Sequence, residues 1–104
     1  MNSVKLTGAF AKVSVYTSGA VTVEYSQDWK SYFKDDFNYD FNYIKGTFVI
    51  EENDAFVEVR MSYAKFKELE QKHGFTDSVM TIEGKLCTEV NRGIGTVSNY
   101  ILIE

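Results

Sequence analysis

Apolar and polar residues alternate with a period of two along the first quarter of the chain. Three pairs of apolar residues show this spacing: Val4 and Leu6, Val13 and Val15, and Val21 and Val23. Because alternate side chains of a strand share a face, the pattern is typical of half-buried β-strands. Thr17-Ser18-Gly19-Ala20 favours a turn between two of these runs, and Gly8 favours a bend within the first. We therefore predict a β-hairpin or meander over residues 3–26.

The rest of the chain predicts four more strands and one helix. The predicted strands cover residues 47–51, 55–61, 79–86 and 97–104. A helix is predicted from Tyr63 to His73, because Ser62 can cap its start and Gly74 can end it in a left-handed conformation. Strands, one short helix and two further strands are the order of a five-stranded OB-fold barrel, with the helix between strands 3 and 4. We predict an all-β fold of this type, as a single domain over residues 1–104.

Residues 28–46 differ from the rest in composition. Asp36-Phe37-Asn38-Tyr39 is repeated at once as Asp40-Phe41-Asn42-Tyr43. In an extended segment the four aromatic residues of this repeat would share one face, with Asp and Asn on the other. Trp29 and Phe33 continue a spacing of four, which leaves a helical turn open at the start of the segment. We predict a long aromatic loop or arm over residues 28–46.

Composition excludes several classes of function. The single cysteine, Cys87, has no partner for an internal disulfide, and the single histidine, His73, rules out a multi-histidine metal site. No stretch approaches the ~20 apolar residues of a transmembrane helix, and the N-terminus has no signal-peptide pattern. We find no catalytic constellation and no cofactor motif. We therefore expect a cytoplasmic protein that is not an enzyme and needs no cofactor or metal.

Four short segments, in order along the chain, resemble the motifs of one family. Ser3-Val4-Lys5-Leu6-Thr7-Gly8 is similar to N-x-V-x-L-x-G, Tyr16–Val21 to Y-T-x-S-G-x-x-V, Ser26–Lys30 to S-x-x-W-R, and Thr81–Leu86 followed by Thr88 to V-Y-I-E-G-x-L-R-T. The family is the bacterial-type single-stranded-DNA-binding proteins. The resemblance implies an OB fold, sequence-independent binding of single-stranded DNA in replication or recombination, and a homo-oligomer (dimer or tetramer).

The chain also departs from that family. Cys87 and Glu89 stand at positions where the family has arginine, so one basic strand edge is missing. We expect no acidic C-terminal tail of the kind that recruits replication and repair proteins in the family, as in a phage- or plasmid-encoded member. The formal net charge of −4 also weakens attraction to phosphate. DNA binding would therefore depend on local clustering of Lys and Arg.

Base stacking needs exposed aromatic rings, and each stacked base contributes roughly 1–3 kcal/mol to the binding free energy. Trp29 lies in a polar stretch, which favours stacking over the alternative of core or interface packing. Tyr63 falls where the family has a stacking phenylalanine, although a residue packed at the helix start is an equal alternative. Phe56 lies one residue from a stacking tryptophan of the family. The repeat aromatics either line a DNA-clasping arm or pair that arm with a second subunit; they are Phe37, Tyr39, Phe41 and Tyr43.

The candidate phosphate contacts are basic residues spread along the chain. They are Lys30, Arg60, Lys85 and Arg92, with Lys5, Lys12 and Lys45 as further candidates. A single surface lysine is usually only solvated, so several must cluster to form a binding surface. We expect a single-stranded-DNA-binding protein. The alternative is an OB-like protein-interaction module of a phage or mobile element, which binds a host protein through its acidic aromatic arm at residues 35–43.

Overall fold

The computed structural model describes residues 2–16, 22–24, 43–73 and 78–103. Within them the chain forms six strands and one helix: β1 (Val4–Tyr16), β2 (Thr22–Glu24), β3 (Tyr43–Ile50), β4 (Phe56–Met61), α1 (Tyr63–His73), β5 (Met80–Asn91) and β6 (Thr96–Ile103). The described chain is therefore mostly β-strand with one short helix. This agrees with the predicted class.

Five of the strands form a closed sheet. Their order is β1-β3-β4-β6-β5, and β5 pairs back with β1. The pairing of β4 with β6 is parallel, whereas the other pairs in the ring are antiparallel. β2 adds a short antiparallel strand to the end of β1, as the predicted hairpin requires. In the chain, α1 connects the third and fourth strands of the ring, β4 and β5.

Closure depends on β1, which contacts two neighbours in turn. Residues 4–8 of β1 pair with β5, and residues 8–16 pair with β3. Gly8, where we predicted a bend, belongs to both pairings. A Cβ atom at Gly8 would collide with the carbonyl oxygen of Val49. Glycine at this position therefore allows β1 and β3 to approach closely where the strand changes partner.

The core fills the inside of the closed sheet. Its members are alternate strand residues and the inner face of α1: Phe10, Val13, Val15, Ile44, Phe48, Val59, Met61, Phe66, Leu69, Met80, Ile82, Ile101 and Ile103. The rings of Phe10 and Phe48 meet edge to face, with centroids 5.0 Å apart. The backbone N–H of Lys65 donates to Ser62 Oγ at 3.2 Å, so the predicted helix cap is confirmed.

Two strand boundaries differ from the prediction by more than one residue. β3 begins at Tyr43, so residues 43–46 of the predicted arm belong to the closed sheet. Ile44, Gly46 and Phe48 alternate on the inner side of β3, but the glycine interrupts the apolar pattern in the sequence. The ring of Phe10 occupies the space of the absent side chain, 2.6 Å from where a Cβ atom would stand. β5 extends to Asn91 rather than residue 86. The predicted turn at 17–20, residues 28–42 of the arm and Gly74 lie outside the described residues.

Candidate nucleic-acid interface

Three of the candidate cations lie in one line across the outside of the sheet. Lys45 of β3 is in register with Arg60 of β4, Arg60 with Leu102 of β6, and Leu102 with Lys85 of β5. Residues in register share a face, and adjacent strands are about 4.8 Å apart. The inward side chains of the same strands fill the core, so these four residues point outward. We call Lys45, Arg60, Leu102 and Lys85 the outer row.

Tyrosines surround the middle of the outer row. The rings of Tyr16 and Tyr43, which are direct cross-strand partners, stack with centroids 4.9 Å apart and an interplanar angle of 18°. The guanidinium carbon of Arg60 lies 5.0 Å from the Tyr43 centroid and 3.9 Å from the Tyr100 centroid. Both distances are within the range of cation–π attraction. We call Tyr16, Tyr43, Arg60 and Tyr100 the tyrosine–arginine cluster.

Two carboxylates bind the cations of this surface. Arg60 donates from Nε to Glu58 Oε2 at 2.6 Å and from Nη2 to Glu89 Oε2 at 2.7 Å. Lys45 Nζ lies 3.1 Å from Glu58 Oε1. Two positive and two negative charges therefore meet at one point, and their formal charges cancel. A phosphate that approaches this point encounters little net attraction unless a carboxylate moves away.

The pKa values around Arg60 follow from these contacts. Burial by itself lowers the pKa of Arg60, but the hydrogen bonds to Glu89 and Glu58 outweigh it and raise this pKa above its ordinary value. Burial raises the pKa of Tyr43, and the positive charge of Arg60 opposes that rise. Burial also raises the pKa of Tyr100, with a contribution from neighbouring Cys87. At neutral pH the cluster therefore contains a permanent cation between neutral rings.

The other predicted residues occupy different places. Phe56, at the start of β4, is 75% exposed, as a stacking side chain must be. Tyr63 is partly buried and packs against the core, which favours the alternative of a residue packed at the helix start. Arg92 is exposed in the turn between β5 and β6. The remaining candidates lie outside the described residues: Trp29, Lys30, Phe37 and Tyr39.

The far ends of β5 and β6 form a two-stranded ribbon, residues 88–91 and 96–99. Within the described chain these residues pair only with each other. Val90 and Val97 are direct partners, and both are mostly exposed, as is Ile94 in the connecting turn. The ribbon thus presents apolar side chains to solvent, and it also supplies Glu89 to Arg60.

Sequence reasoning did not identify Tyr16 and Tyr100 as site residues. Tyr16 lies in the segment that resembles the family motif Y-T-x-S-G-x-x-V, and Tyr100 lies in the last predicted strand, but neither was given a role in binding. The signal was present in the alternation, because inward Ile101 and Ile103 require Tyr100 and Leu102 to point outward. Nothing in the sequence indicated that Glu89 would reach Arg60, which is 29 positions away.

Among the described residues, no group of three or more His, Cys, Asp or Glu side chains is placed to hold a metal ion. No helix in the same part of the chain is both long and apolar enough to cross a membrane. Comparison with protein-family models, with curated proteins and with solved structures finds no match to this chain. The resemblance to single-stranded-DNA-binding proteins therefore rests on the sequence motifs alone.

Proposed function

We propose that this protein is an OB-fold protein that binds single-stranded DNA without sequence preference. Three features of the fold support an OB barrel: a closed sheet of five strands, a helix between its third and fourth strands, and a last strand that returns beside the third. OB folds bind oligonucleotides on the face of their second and third strands. In this chain those strands are β3 and β4.

The observation that carries the proposal is the chemistry of that face. β3 and β4 contribute Tyr43, Lys45 and Arg60 to its outer side, and β6 adds Tyr100 beside them. Binding of single strands without reading the sequence requires aromatic surfaces for the bases and cations along the backbone. Exposed Phe56 lies on β4 and adds an aromatic side chain to the same face.

Two connections are expected to flank this face. In an OB fold, the loop between strands 1 and 2 and the loop between strands 4 and 5 border the binding surface. Trp29 and Lys30 belong to the segment that joins β1 to β3, and Arg92 belongs to the turn between β5 and β6. Their positions in the chain support a role for all three in the same interface.

The test is a titration of a labelled ~30-nucleotide oligo(dT) by fluorescence anisotropy at several salt concentrations. Wild-type protein should bind saturably, and its affinity should fall as salt rises. Lys45→Gln should weaken binding and reduce the slope of log K against log salt by about 0.7, the contribution of one phosphate contact on a single strand. Trp29 fluorescence should be quenched in the same titration.

Lys65→Gln is the matched control. Lys65 forms an ion pair with Glu68 on α1, as Lys45 does with Glu58 on the proposed face. Lys65 lies beside Thr81 and Glu83 of β5 and not on the outer face of β3 and β4. Both substitutions remove one positive charge, so only Lys45→Gln should change the salt slope. Equal effects of the two variants, or no binding by wild type at low salt, would overturn the proposal.

A second candidate is a protein-interaction module that binds its partner through the ribbon, whereas the sequence predicted binding through the arm at residues 35–43. It is favoured by the exposed apolar residues of the ribbon, Val90, Ile94 and Val97, and by the cancelled charge around Arg60. It predicts a flat oligo(dT) titration together with a protein partner whose binding is lost in Val90→Asp. Saturable, salt-sensitive binding of oligo(dT) that is unchanged in Val90→Asp would exclude it as the main function.

A further inference from the structure

We propose that Glu89 competes with nucleic-acid phosphate for the guanidinium of Arg60, and that this exchange limits affinity and sets the salt dependence of binding. The inference rests on the proposed function, because it concerns the same face of β3 and β4. Phosphate binds Arg60 when the Glu89 side chain leaves it.

The contacts of Arg60 define what a phosphate must displace. Its side chain is only 12% exposed, with Tyr43 and Tyr100 against the guanidinium and carboxylates on Nε and Nη2. A phosphate presents oxygens to a guanidinium in the same way as a carboxylate does. The ligand and the carboxylates therefore compete for the same N–H groups.

Of the two carboxylates, Glu89 is the easier to displace. The side chain of Glu58 is 26% exposed and is shared between Arg60 and Lys45. The side chain of Glu89 is 55% exposed, and Arg60 is the partner the structure gives it within the described chain. Water can therefore solvate Glu89 once it leaves Arg60, whereas Glu58 would lose its ion pairs with both Arg60 and Lys45. Glu89 also belongs to the ribbon, where β5 pairs with β6 alone.

Displacement changes the charge that a phosphate meets. With Glu89 in place, Lys45, Arg60, Glu58 and Glu89 sum to zero formal charge. Without Glu89, the same point carries one net positive charge and an uncovered Nη2. Arg60 should then add one phosphate contact to the binding surface.

The experiment compares Glu89→Gln with Glu83→Gln in the oligo(dT) titration. Both residues are exposed on the outer side of β5, and each substitution removes one negative charge. Glu83 accepts a hydrogen bond from Ser3 and makes no described contact with Arg60. Glu89→Gln should bind on the order of threefold to tenfold more tightly, with a salt slope steeper by about 0.7. Glu83→Gln should change affinity less than about twofold and leave the slope unchanged.

A double variant tests whether the gain acts through Arg60. In an Arg60→Gln background, Glu89→Gln should no longer tighten binding, whereas two independent effects would simply add. Circular dichroism and thermal unfolding establish that each variant is folded, and Arg60→Met, which also removes the charge, replaces Arg60→Gln if the latter is not. Equal affinities and slopes for Glu89→Gln and Glu83→Gln, with oligo(dT) still bound, would overturn this inference and leave the proposed function intact. Failure of all variants and wild type to bind would overturn the proposed function itself.

Discussion

At the scale of single residues, Arg60 shows how a surface cation is fixed by its neighbours. Its outward direction follows from the sequence, because Val59 and Met61 alternate with it and are apolar. Its partners do not follow from the sequence, since Glu89 comes from a strand 29 residues later. A local pattern gives the direction of a side chain, but pairing across strands decides which charges it meets.

The two tyrosines that contact Arg60 predict a loss of stability in alkali. Burial raises the pKa of Tyr43 and Tyr100 above the ordinary value of 10.0. As pH rises, the unfolded chain therefore loses these protons before the folded protein does, and the free energy of unfolding falls. The stabilisation should be complete below pH 10 and disappear as pH rises through the folded pKa values. Urea unfolding as a function of pH should show a smaller decline in Tyr43→Phe and Tyr100→Phe; an identical decline would contradict the account.

Two phenylalanines of opposite exposure test the description of the core. Phe48 is fully buried against Phe10, whereas Phe56 is 75% exposed. Phe48→Ala should lower the free energy of unfolding by about 3–5 kcal/mol. Phe56→Ala should change it by no more than about 0.5 kcal/mol. Urea denaturation measures both, and comparable losses would show that the two rings are not placed as described.

At the scale of elements, the local sequence pattern predicted the helix but not the start of β3 or the end of β5. Ser62 and the apolar positions of α1 lie within a few residues of one another, so the sequence contains what determines that helix. The early start of β3 was missed because Gly46 interrupts the apolar pattern. Glycine is required at this position because the ring of Phe10, on β1, occupies the space of a side chain. β5 runs on as a ribbon with β6, where exposed valines gave no inward alternation to detect.

The change of partner along β1 gives a prediction at this scale. Gly8→Ala places a methyl group against the Val49 carbonyl, so β1 and β3 must separate or the strand must shift. The expected cost is about 1–3 kcal/mol of unfolding free energy. Gly93→Ala in the exposed turn of the ribbon meets only Asn91 Oδ1 at 3.4 Å and should cost no more than about 0.5 kcal/mol. Thermal or urea unfolding measures the stability of both variants. An unchanged free energy of unfolding in Gly8→Ala would contradict the close approach of β1 and β3.

At the scale of the whole molecule, the closed sheet brings the residues of the proposed interface together from distant segments. The outer row takes one residue from each of β3, β4, β6 and β5, an order that differs from the order along the chain. The all-β class and the place of the helix could be predicted from the sequence. The row itself could not, because register between strands determines it. The homo-oligomer and the contributions of Trp29, Lys30, Phe37 and Tyr39 stay predictions.

A map of amide chemical shifts in ¹⁵N-labelled protein during titration with oligo(dT) would locate the DNA-binding surface on the fold. The largest changes should cluster in β3, in β4 and in the turn around Arg92, and added salt should reverse them. The amides of α1 should change little. The absence of shifts at low salt, or shifts concentrated on α1, would contradict a single-stranded-DNA interface on this face.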